Sequence, residues 1–191
     1  MKSVAARALA DAAGAFDRLG VRWFLFGAQA AIFYGHARST ADVDLTVELG
    51  GHSTEALVGA LGAARIVPRV LFDAAFVAAT RVLPLVHEPT GLGVDIVLAG
   101  PGPDESFLSR ARTESFEGVV VKVVDPSDLL VMKILAARPK DIEDVRGLLR
   151  VAPKGLDLDD VRAQLRELEG LLDQSDLVAA LDEAVRLAGR R

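Results

Sequence analysis

Two aspartates, Asp42 and Asp44, alternate within an apolar run and are the residues of this chain best suited to metal binding or catalysis. Side chains alternate between the two faces of a strand, so both carboxylates point to the same face. Carboxylates side by side on a half-buried strand repel each other and lose hydration unless a cation lies between them. Mg²⁺ prefers carboxylate oxygens and leaves room for substrate phosphates. The pair therefore predicts a divalent-metal site for Mg²⁺ or Mn²⁺.

A third carboxylate and a glycine extend this pattern. Asp95 lies in a second apolar run, and Gly27 directly follows the run 24–26. An Asp-x-Asp pair alone is also common at ordinary strand ends, but the added Asp95 and Gly27 favour a metal site. We expect Asp42, Asp44 and Asp95 to converge in one open cleft. Such a site suits metal-assisted phosphoryl or nucleotidyl transfer, with Asp95 binding a second metal ion or accepting a proton.

The turn at Gly27 and Ala28 has two readings. The residues can begin a helix whose N-terminal amides face phosphate groups, because a helix N-terminus carries partial positive charge. They can also form an ordinary strand-to-helix turn. The sequence leaves both readings open.

The elements that must position these residues follow from hydrophobic periodicity and turn signals. Strands are expected at 21–26, 43–48, 65–70, 82–87, 93–98 and 119–124. Helices are expected at 4–19, 29–34, 54–62, 72–79 and 126–137, from 141 onward, and at 158–171 and 175–188. The pattern predicts an α/β (α+β) protein with a mixed sheet flanked by helices and a helical C-terminal part.

The composition shifts near Pro153, where a loop separates the mixed part from two amphipathic helices. We expect a core over residues 1–152 and a C-terminal helical subdomain over 153–191 that packs on this core.

Composition narrows the class of protein. The chain has 191 residues, a net charge of −5 and no cysteine. A strongly basic nucleic-acid footprint is therefore absent, although a local basic patch is compatible with the sequence. The sequence has neither a signal-peptide core nor an apolar stretch long enough to span a membrane. We expect a cytoplasmic protein with no membrane partner.

The pattern of Gly27, Asp42, Asp44 and Asp95 resembles the nucleotidyltransferase superfamily related to DNA polymerase beta. That family has an apolar residue, Gly, then Gly or Ser, and an Asp-x-Asp pair on the next strand. The segment from Gly35 to Leu45, GHARSTADVDL, is similar to the bacterial branch that includes AbiEii-type and MenT-like toxins. The segments PSDLLVMK and RPKDIED, at 126–133 and 138–144, are similar to the same branch.

The resemblance covers roughly residues 20 to 150 and implies a minimal nucleotidyltransferase fold. It also implies metal-dependent transfer of a nucleoside monophosphate from an NTP to an acceptor hydroxyl. By resemblance the acceptor is tRNA or protein, and a cognate antitoxin or a role in phage defence is expected. The chain departs from the family at Ala28, which lacks the hydroxyl of the family's Ser but keeps its backbone N–H.

Four further residues gain roles from this resemblance. Lys133 would contact phosphate and Asp141 would belong to the catalytic site. Without the resemblance, Lys133 is a lysine whose ammonium reaches solvent from an apolar helix face, and Asp141 with Asp144 favourably charges a first helical turn. Arg38 binds phosphate or pairs with Asp42 or Asp44. Thr40, in the nucleotide-binding segment, orients a carboxylate or caps a turn.

Two rival functions remain at this stage. The first is nucleotidylation of a small molecule such as an antibiotic. The second is a non-catalytic relative that binds a nucleotide or a partner protein. The Ala28 departure favours the non-catalytic reading, whereas the complete set of three carboxylates disfavours it.

Overall fold

The computed structural model describes residues 2–173 and 175–189, which group into two compact units. The first unit comprises the chain up to Gln29 together with Ser39–Val124. The second comprises Ala30–Arg38 and the chain from Asp125 onward. The expected boundary near residue 152 does not coincide with this division, because residues 125–152 group with the C-terminal helices. The division into folding domains at 152 stays a prediction.

A seven-stranded mixed sheet forms the centre of the first unit, in the order β3-β4-β5-β2-β1-β7-β6. The strands are β1 Arg22–Phe26, β2 Asp42–Glu48, β3 Ile66–Pro68, β4 Val82–His87, β5 Leu92–Leu98, β6 Arg112–Phe116 and β7 Val119–Val123. The pairs β2–β5 and β1–β7 are parallel, and the other neighbouring pairs are antiparallel.

The helices of the first unit are α1 Val4–Leu19, α3 Thr54–Ala63, α4 Ala74–Thr80 and α5 Pro103–Arg110. Helix α2, Gly27–Phe33, begins in the first unit and ends in the second. Helix α1 begins where the Ser3 side chain accepts a hydrogen bond from the Ala6 N–H, and it ends at Gly20 with a φ of 68°. The helix expected at 4–19 is therefore confirmed.

One face of the sheet is buried beneath α1. Helix α1 packs against β2, β5, β7 and α3. Its Asp11 Oδ2 lies 2.8 Å from Nε2 of the buried His87, which is the register partner of Leu92. Strand alternation then assigns the fully buried Val94 and Ile96 to this face. Apolar burial of this kind, at roughly 25 cal/mol per Å², anchors β5 and the strands beside it.

The opposite face carries the alternate residues of the same strands, including Asp42, Asp44 and Asp95. These three side chains are only partly buried. Helix α5 lies on this side at β1, because Arg22 bonds both Glu48 of β2 and Glu105 of α5. One strand face thus supplies the core, and the other supplies the carboxylates.

The second unit consists of residues 30–38 and four helices within its described residues: α6 Pro126–Ala136, α7 Pro139–Val151, α8 Leu158–Leu172 and α9 Leu177–Leu187. Helix α6 packs on α7, α8 and α9, and α9 also packs on α7 and α8. Leu129, Leu148 and Leu165 are fully buried among these helices.

The structure confirms the predicted mixed α/β class and adds two elements that the sequence pattern did not indicate. Helix α5 and strand β6 lie between residues 98 and 119, where no helix or strand was expected. Across the described residues, no helix combines the length and apolarity that crossing a bilayer requires.

Candidate active site

Asp44 and Asp95 are register partners in the parallel strands β2 and β5. Asp42 lies two residues before Asp44 and is the register partner of Gly93. Register partners and residues two apart share a face, so all three carboxylates lie on one face of two adjacent strands. The shared strand face that the expectation requires is therefore found. The open cleft and the roles of the three residues in catalysis and metal binding stay predictions.

Gly27 lies directly against the carboxylate of Asp44. A Cβ added at Gly27 would stand 1.9 Å from Asp44 Oδ2 and 2.7 Å from Cγ. Gly27 also has a φ of 69°, a conformation that L side chains rarely adopt. Two independent constraints thus require glycine here, and one of them arises from the side chain of a candidate site residue.

Thr40 orients the first carboxylate of the pair. Its hydroxyl donates to Asp42 Oδ1 at 2.6 Å and lies 3.2 Å from the Asp42 carbonyl oxygen. Of the two readings that the sequence left open, the geometry shows the hydrogen bond to a carboxylate. A neutral donor fixes the side chain of Asp42 without cancelling its charge.

Arg69, which sequence reasoning missed, contacts the third carboxylate. Its Nη2 donates to Asp95 Oδ2 at 3.1 Å and lies 2.9 Å from Oδ1. Asp95 Oδ1 is buried and has no hydrogen bond of acceptable geometry. The only signal in the sequence is an arginine directly after the apolar run that ends in Pro68, and no motif links that position to Asp95.

The donor set of this face fits a hard divalent cation. The three carboxylates supply oxygen ligands on one face, and the orphaned Oδ1 of Asp95 offers a lone pair that no hydrogen bond uses. As the side chains stand, however, no three His, Asp or Glu side chains within residues 2–173 and 175–189 form a group arranged to hold a metal ion. The assignment of Asp42, Asp44 and Asp95 as the residues that would hold Mg²⁺ or Mn²⁺ therefore stays a prediction.

A separate cluster of charges lies in the second unit around Lys133. This lysine is 5% exposed, and Nζ donates to Asp141 Oδ1 at 3.0 Å and to Asp144 Oδ2 at 2.6 Å. Asp141 and Asp144 are 0% and 1% exposed. The alternative reading of a lysine whose ammonium reaches solvent is therefore wrong. Asp141 does lie in the first turn of α7, as the alternative reading for the aspartates expected.

Arg38 and His36 join this cluster from the segment that precedes β2. Arg38 Nη1 donates to both oxygens of Asp144, at 2.8 and 2.6 Å, a partner that the sequence reading did not consider. His36 Nε2 lies 3.4 Å from Asp144 Oδ1, and its ring occupies the space beside Gly147, where an added Cβ would stand 2.1 Å from Nδ1. The segment is thus anchored to α7 by charge and by close packing.

The electrostatics of Asp141 reflect this pairing. Burial opposes the charged form of the carboxyl, but hydrogen bonds from Arg138 and Lys133 favour it. The balance holds the pKa of Asp141 below its usual value. Asp141 is therefore ionised at neutral pH and fully engaged with two cations.

The predicted site residues divide between the two units. Gly27, Ala28, Thr40, Asp42, Asp44 and Asp95 belong to the first unit, and Arg38, Lys133 and Asp141 belong to the second. The phosphate contacts predicted for Arg38 and Lys133, and the catalytic role predicted for Asp141, stay predictions.

The comparisons with known proteins match part of the chain to a family model and most of it to solved structures. Residues 102–178 match the model of the DUF2204 family, which is described as a nucleotidyl transferase of unknown function. The matched stretch contains Lys133, Asp141 and Asp144, whereas Asp42, Asp44 and Asp95 lie outside it. No curated protein sequence matches this chain at a significant level.

Two solved structures are similar to the whole chain. One is the solution structure of the antibiotic-resistance factor ANT(2'')-Ia, with a TM-score of 0.61 and 14% identity over 91% of this chain and 97% of that one. The other is the crystal structure of an antigenic nucleotidyltransferase-like protein from Paracoccidioides brasiliensis, with a TM-score of 0.55 and 18% identity over 93% and 92%. The chain therefore has a nucleotidyltransferase-like fold.

Proposed function

We propose that this protein is a divalent-metal-dependent nucleotidyltransferase that moves a nucleoside monophosphate from an NTP to an acceptor hydroxyl. The observation that carries the proposal is the placement of Asp42, Asp44 and Asp95 on one face of two adjacent strands. The glycine turn at Gly27, held against the carboxylate of Asp44, supports it. The fold-level likeness to nucleotidyltransferases agrees with this assignment.

In the proposed reaction, the acceptor oxygen forms a bond to the α-phosphorus of the NTP. The bond from the α-phosphorus to the bridging oxygen breaks, and pyrophosphate leaves with that electron pair. The proton of the acceptor hydroxyl passes to Asp95 or to solvent. A bound Mg²⁺ or Mn²⁺ supplies Lewis-acid stabilisation of the phosphate charge.

The residues of the chain have the following proposed roles. Asp42, Asp44 and Asp95 hold the metal, and Thr40 keeps Asp42 in one orientation through its short hydrogen bond. The backbone N–H groups of Gly27 and Ala28 donate to phosphate oxygens. Side chains fixed before the reaction stabilise developing charge without reorganisation at the moment of transfer.

Residues of the second unit enter the proposal from sequence similarity alone. Arg38 and Lys133 are proposed as phosphate contacts and Asp141 as a further site residue. Their mutual salt bridges supply a second, structural role, so substitutions at these positions require a stability measurement beside each activity measurement.

For the acceptor, we propose tRNA or protein, with a cognate antitoxin, from the similarity of the GHARSTADVDL segment to the toxin branch. The competing acceptor is a small molecule of the antibiotic type. The observation that favours it is the near-complete coverage, 97%, of the antibiotic-resistance factor by a chain of this size.

The test is incubation of the purified chain with each α-labelled NTP, Mg²⁺ and, in parallel, total tRNA, total bacterial protein or a panel of antibiotics that carry hydroxyl groups. We expect label transfer to one acceptor class, together with release of pyrophosphate, and loss of both in Asp44→Asn. Absence of transfer to every acceptor, combined with unchanged NTP binding in Asp44→Asn, would exclude the proposed function.

The non-catalytic alternative is tested at Ala28. Serine at this position restores the hydroxyl that the family uses, so Ala28→Ser should tighten NTP binding. If Ala28→Ser gains transfer activity that the natural chain lacks, the natural protein is a binding relative rather than an enzyme.

A further inference from the structure

The guanidinium of Arg69 lies over the carboxylate face itself. Its Nη2 contacts both oxygens of Asp95, at 2.9 and 3.1 Å. Its Nη1 lies 3.0 Å from the position that a Cβ would take at Gly93, and that position is 3.3 Å from the Cβ of Asp42. Because Gly93 has no side chain, the guanidinium fits between the strand positions of Asp42 and Asp95.

The rest of Arg69 is fixed by backbone contacts at the edge of the sheet. The Arg69 N–H donates to the Pro84 carbonyl oxygen at 3.1 Å, and Nη1 approaches the Leu85 carbonyl oxygen at 3.5 Å. The side chain is 38% exposed and that of Asp95 is 21% exposed. The charged end is therefore anchored at its base and can still leave the carboxylate for solvent.

A guanidinium and a divalent metal ion both bind through the lone pairs of the Asp95 oxygens. Because both are cations, they repel each other when they approach the same carboxylate. The guanidinium held against Asp95 therefore repels a metal ion that approaches the same carboxylate. Metal binding at Asp95 is weakened as long as Arg69 stays in contact with it.

We propose that Arg69 is a resident counter-ion of the carboxylate face, which neutralises Asp95 in the metal-free protein and competes with the divalent metal for it. This inference rests on the proposed function, because it takes Asp95 as a metal ligand. Arg69 is accordingly a positioning residue that sets metal affinity, and it is not assigned a contact with substrate.

The competition has a definite direction. Removing the charge of Arg69 frees Asp95 and leaves carboxylate repulsion that a metal ion relieves, so the variant binds metal more tightly. An ion pair at this degree of exposure contributes at most about 1 kcal/mol, which corresponds to about a fivefold change in Kd.

Arg65 offers a matched control. It lies four residues before Arg69, is exposed, and its Nε stands 3.6 Å from Glu88 Oε2 rather than beside the three carboxylates. Arg65→Gln changes the net charge by the same amount as Arg69→Gln. Any effect of overall charge on cation binding is therefore common to the two variants.

The experiment is a titration of Mn²⁺ into the full-length chain, with free Mn²⁺ read from its EPR signal. It compares the natural chain with Arg69→Gln, Arg65→Gln and Asp44→Asn. We expect Kd to fall about fivefold in Arg69→Gln, to stay within twofold in Arg65→Gln, and binding to be lost in Asp44→Asn. Arg69→Lys, which keeps the charge but loses the two-oxygen contact, should lie between Arg69→Gln and the natural chain.

Each other outcome has a distinct meaning. Equal or weaker Mn²⁺ binding in Arg69→Gln overturns the counter-ion role while leaving the metal site in place. An equal gain in Arg65→Gln and Arg69→Gln also overturns it, because the effect would then be one of overall charge. Absence of Mn²⁺ binding in the natural chain and in all variants overturns the metal site of the proposed function together with this inference.

Discussion

The protein contains two groups of aspartates that differ in what surrounds them. The group on the sheet face, Asp42, Asp44 and Asp95, is partly exposed, and its contacts include a threonine hydroxyl, the backbone of Gly27 and the half-exposed Arg69. The group in the helical unit, Asp141 and Asp144, is buried and bonded to lysine and arginine side chains.

The comparison teaches that the partner of a carboxylate, and not its residue type, indicates its use. A buried carboxylate matched by fixed cations is satisfied within the fold, and breaking the pair destabilises the protein. A carboxylate oriented by a neutral donor, as Asp42 is by Thr40, keeps its charge available to an external cation.

Substitution of Asp44 should have the largest effect, and it should be an effect on activity. Asp44→Asn removes a proposed metal ligand and should lower the rate of nucleotidyl transfer about a thousandfold, or ~4 kcal/mol in transition-state free energy. The control is Glu48→Gln, on the same strand and face but paired with Arg22. If both variants lost a comparable share of the transfer rate, the partner of the carboxylate would not decide its use. Any acidic residue on this face would then contribute equally to activity.

Lys133→Met should mainly lower stability. Asp141 and Asp144 would lose a shared buried cation but keep their arginine partners, so we expect the free energy of unfolding to fall by about 3 kcal/mol. Lys140→Met, at an exposed position nearby, should stay within about 0.5 kcal/mol. Urea denaturation measures both. An unchanged urea midpoint in Lys133→Met would contradict a stabilising role for the ion pairs of Lys133 with Asp141 and Asp144.

Gly27→Ala should combine a backbone cost with displacement of the Asp44 carboxylate. We expect about 2 kcal/mol of destabilisation, of which roughly 1 comes from the positive φ. Gly20→Ala isolates that part, because Gly20 has nearly the same φ, 68°, and no atom within 4 Å of an added Cβ. Equal thermal shifts in the two variants would mean that the contact with Asp44 carries no energy.

The smallest effect should be a change in acid stability at Asp141. Its pKa is held below the usual value in the folded state, so its contribution to stability is present above the unfolded pKa and lost as pH falls through the folded pKa. The difference in unfolding free energy between the natural chain and Asp141→Asn should therefore shrink on acidification below about pH 4. Urea curves at pH 7, 4 and 3 test this, and a constant difference would contradict it.

The sheet face was predictable because the information is local. Alternation within 42–44 assigns a face, and the apolar runs around Asp44 and Asp95 predict buried strands. Strand pairing then brings the two carboxylates into register. The extent of α1 was predictable for the same reason, because Ser3 caps its first turn and Gly20 ends it.

What was missed depends on pairing between distant segments. Strand β6, Arg112–Phe116, is polar, and only its pairing with β7 makes it a strand. The contact between Arg69 and Asp95 exists because β3 and β5 both flank β4. The burial of Lys133 follows from helix packing, which supplies two acidic partners that a helical periodicity cannot reveal.

The parallel pairing of β2 with β5 has a consequence for the order of folding. The segment between these strands contains α3, β3, α4 and β4, and both β3 and β4 lie on the far side of β5 from β2. Asp44 and Asp95 thus meet only through a long-range closure, which is slow relative to local helix formation. A nascent chain in which β5 has not yet been synthesised contains Asp42 and Asp44 but lacks Asp95. Metal competence should consequently arise late in folding, after the hairpin of β4 and β5 has docked.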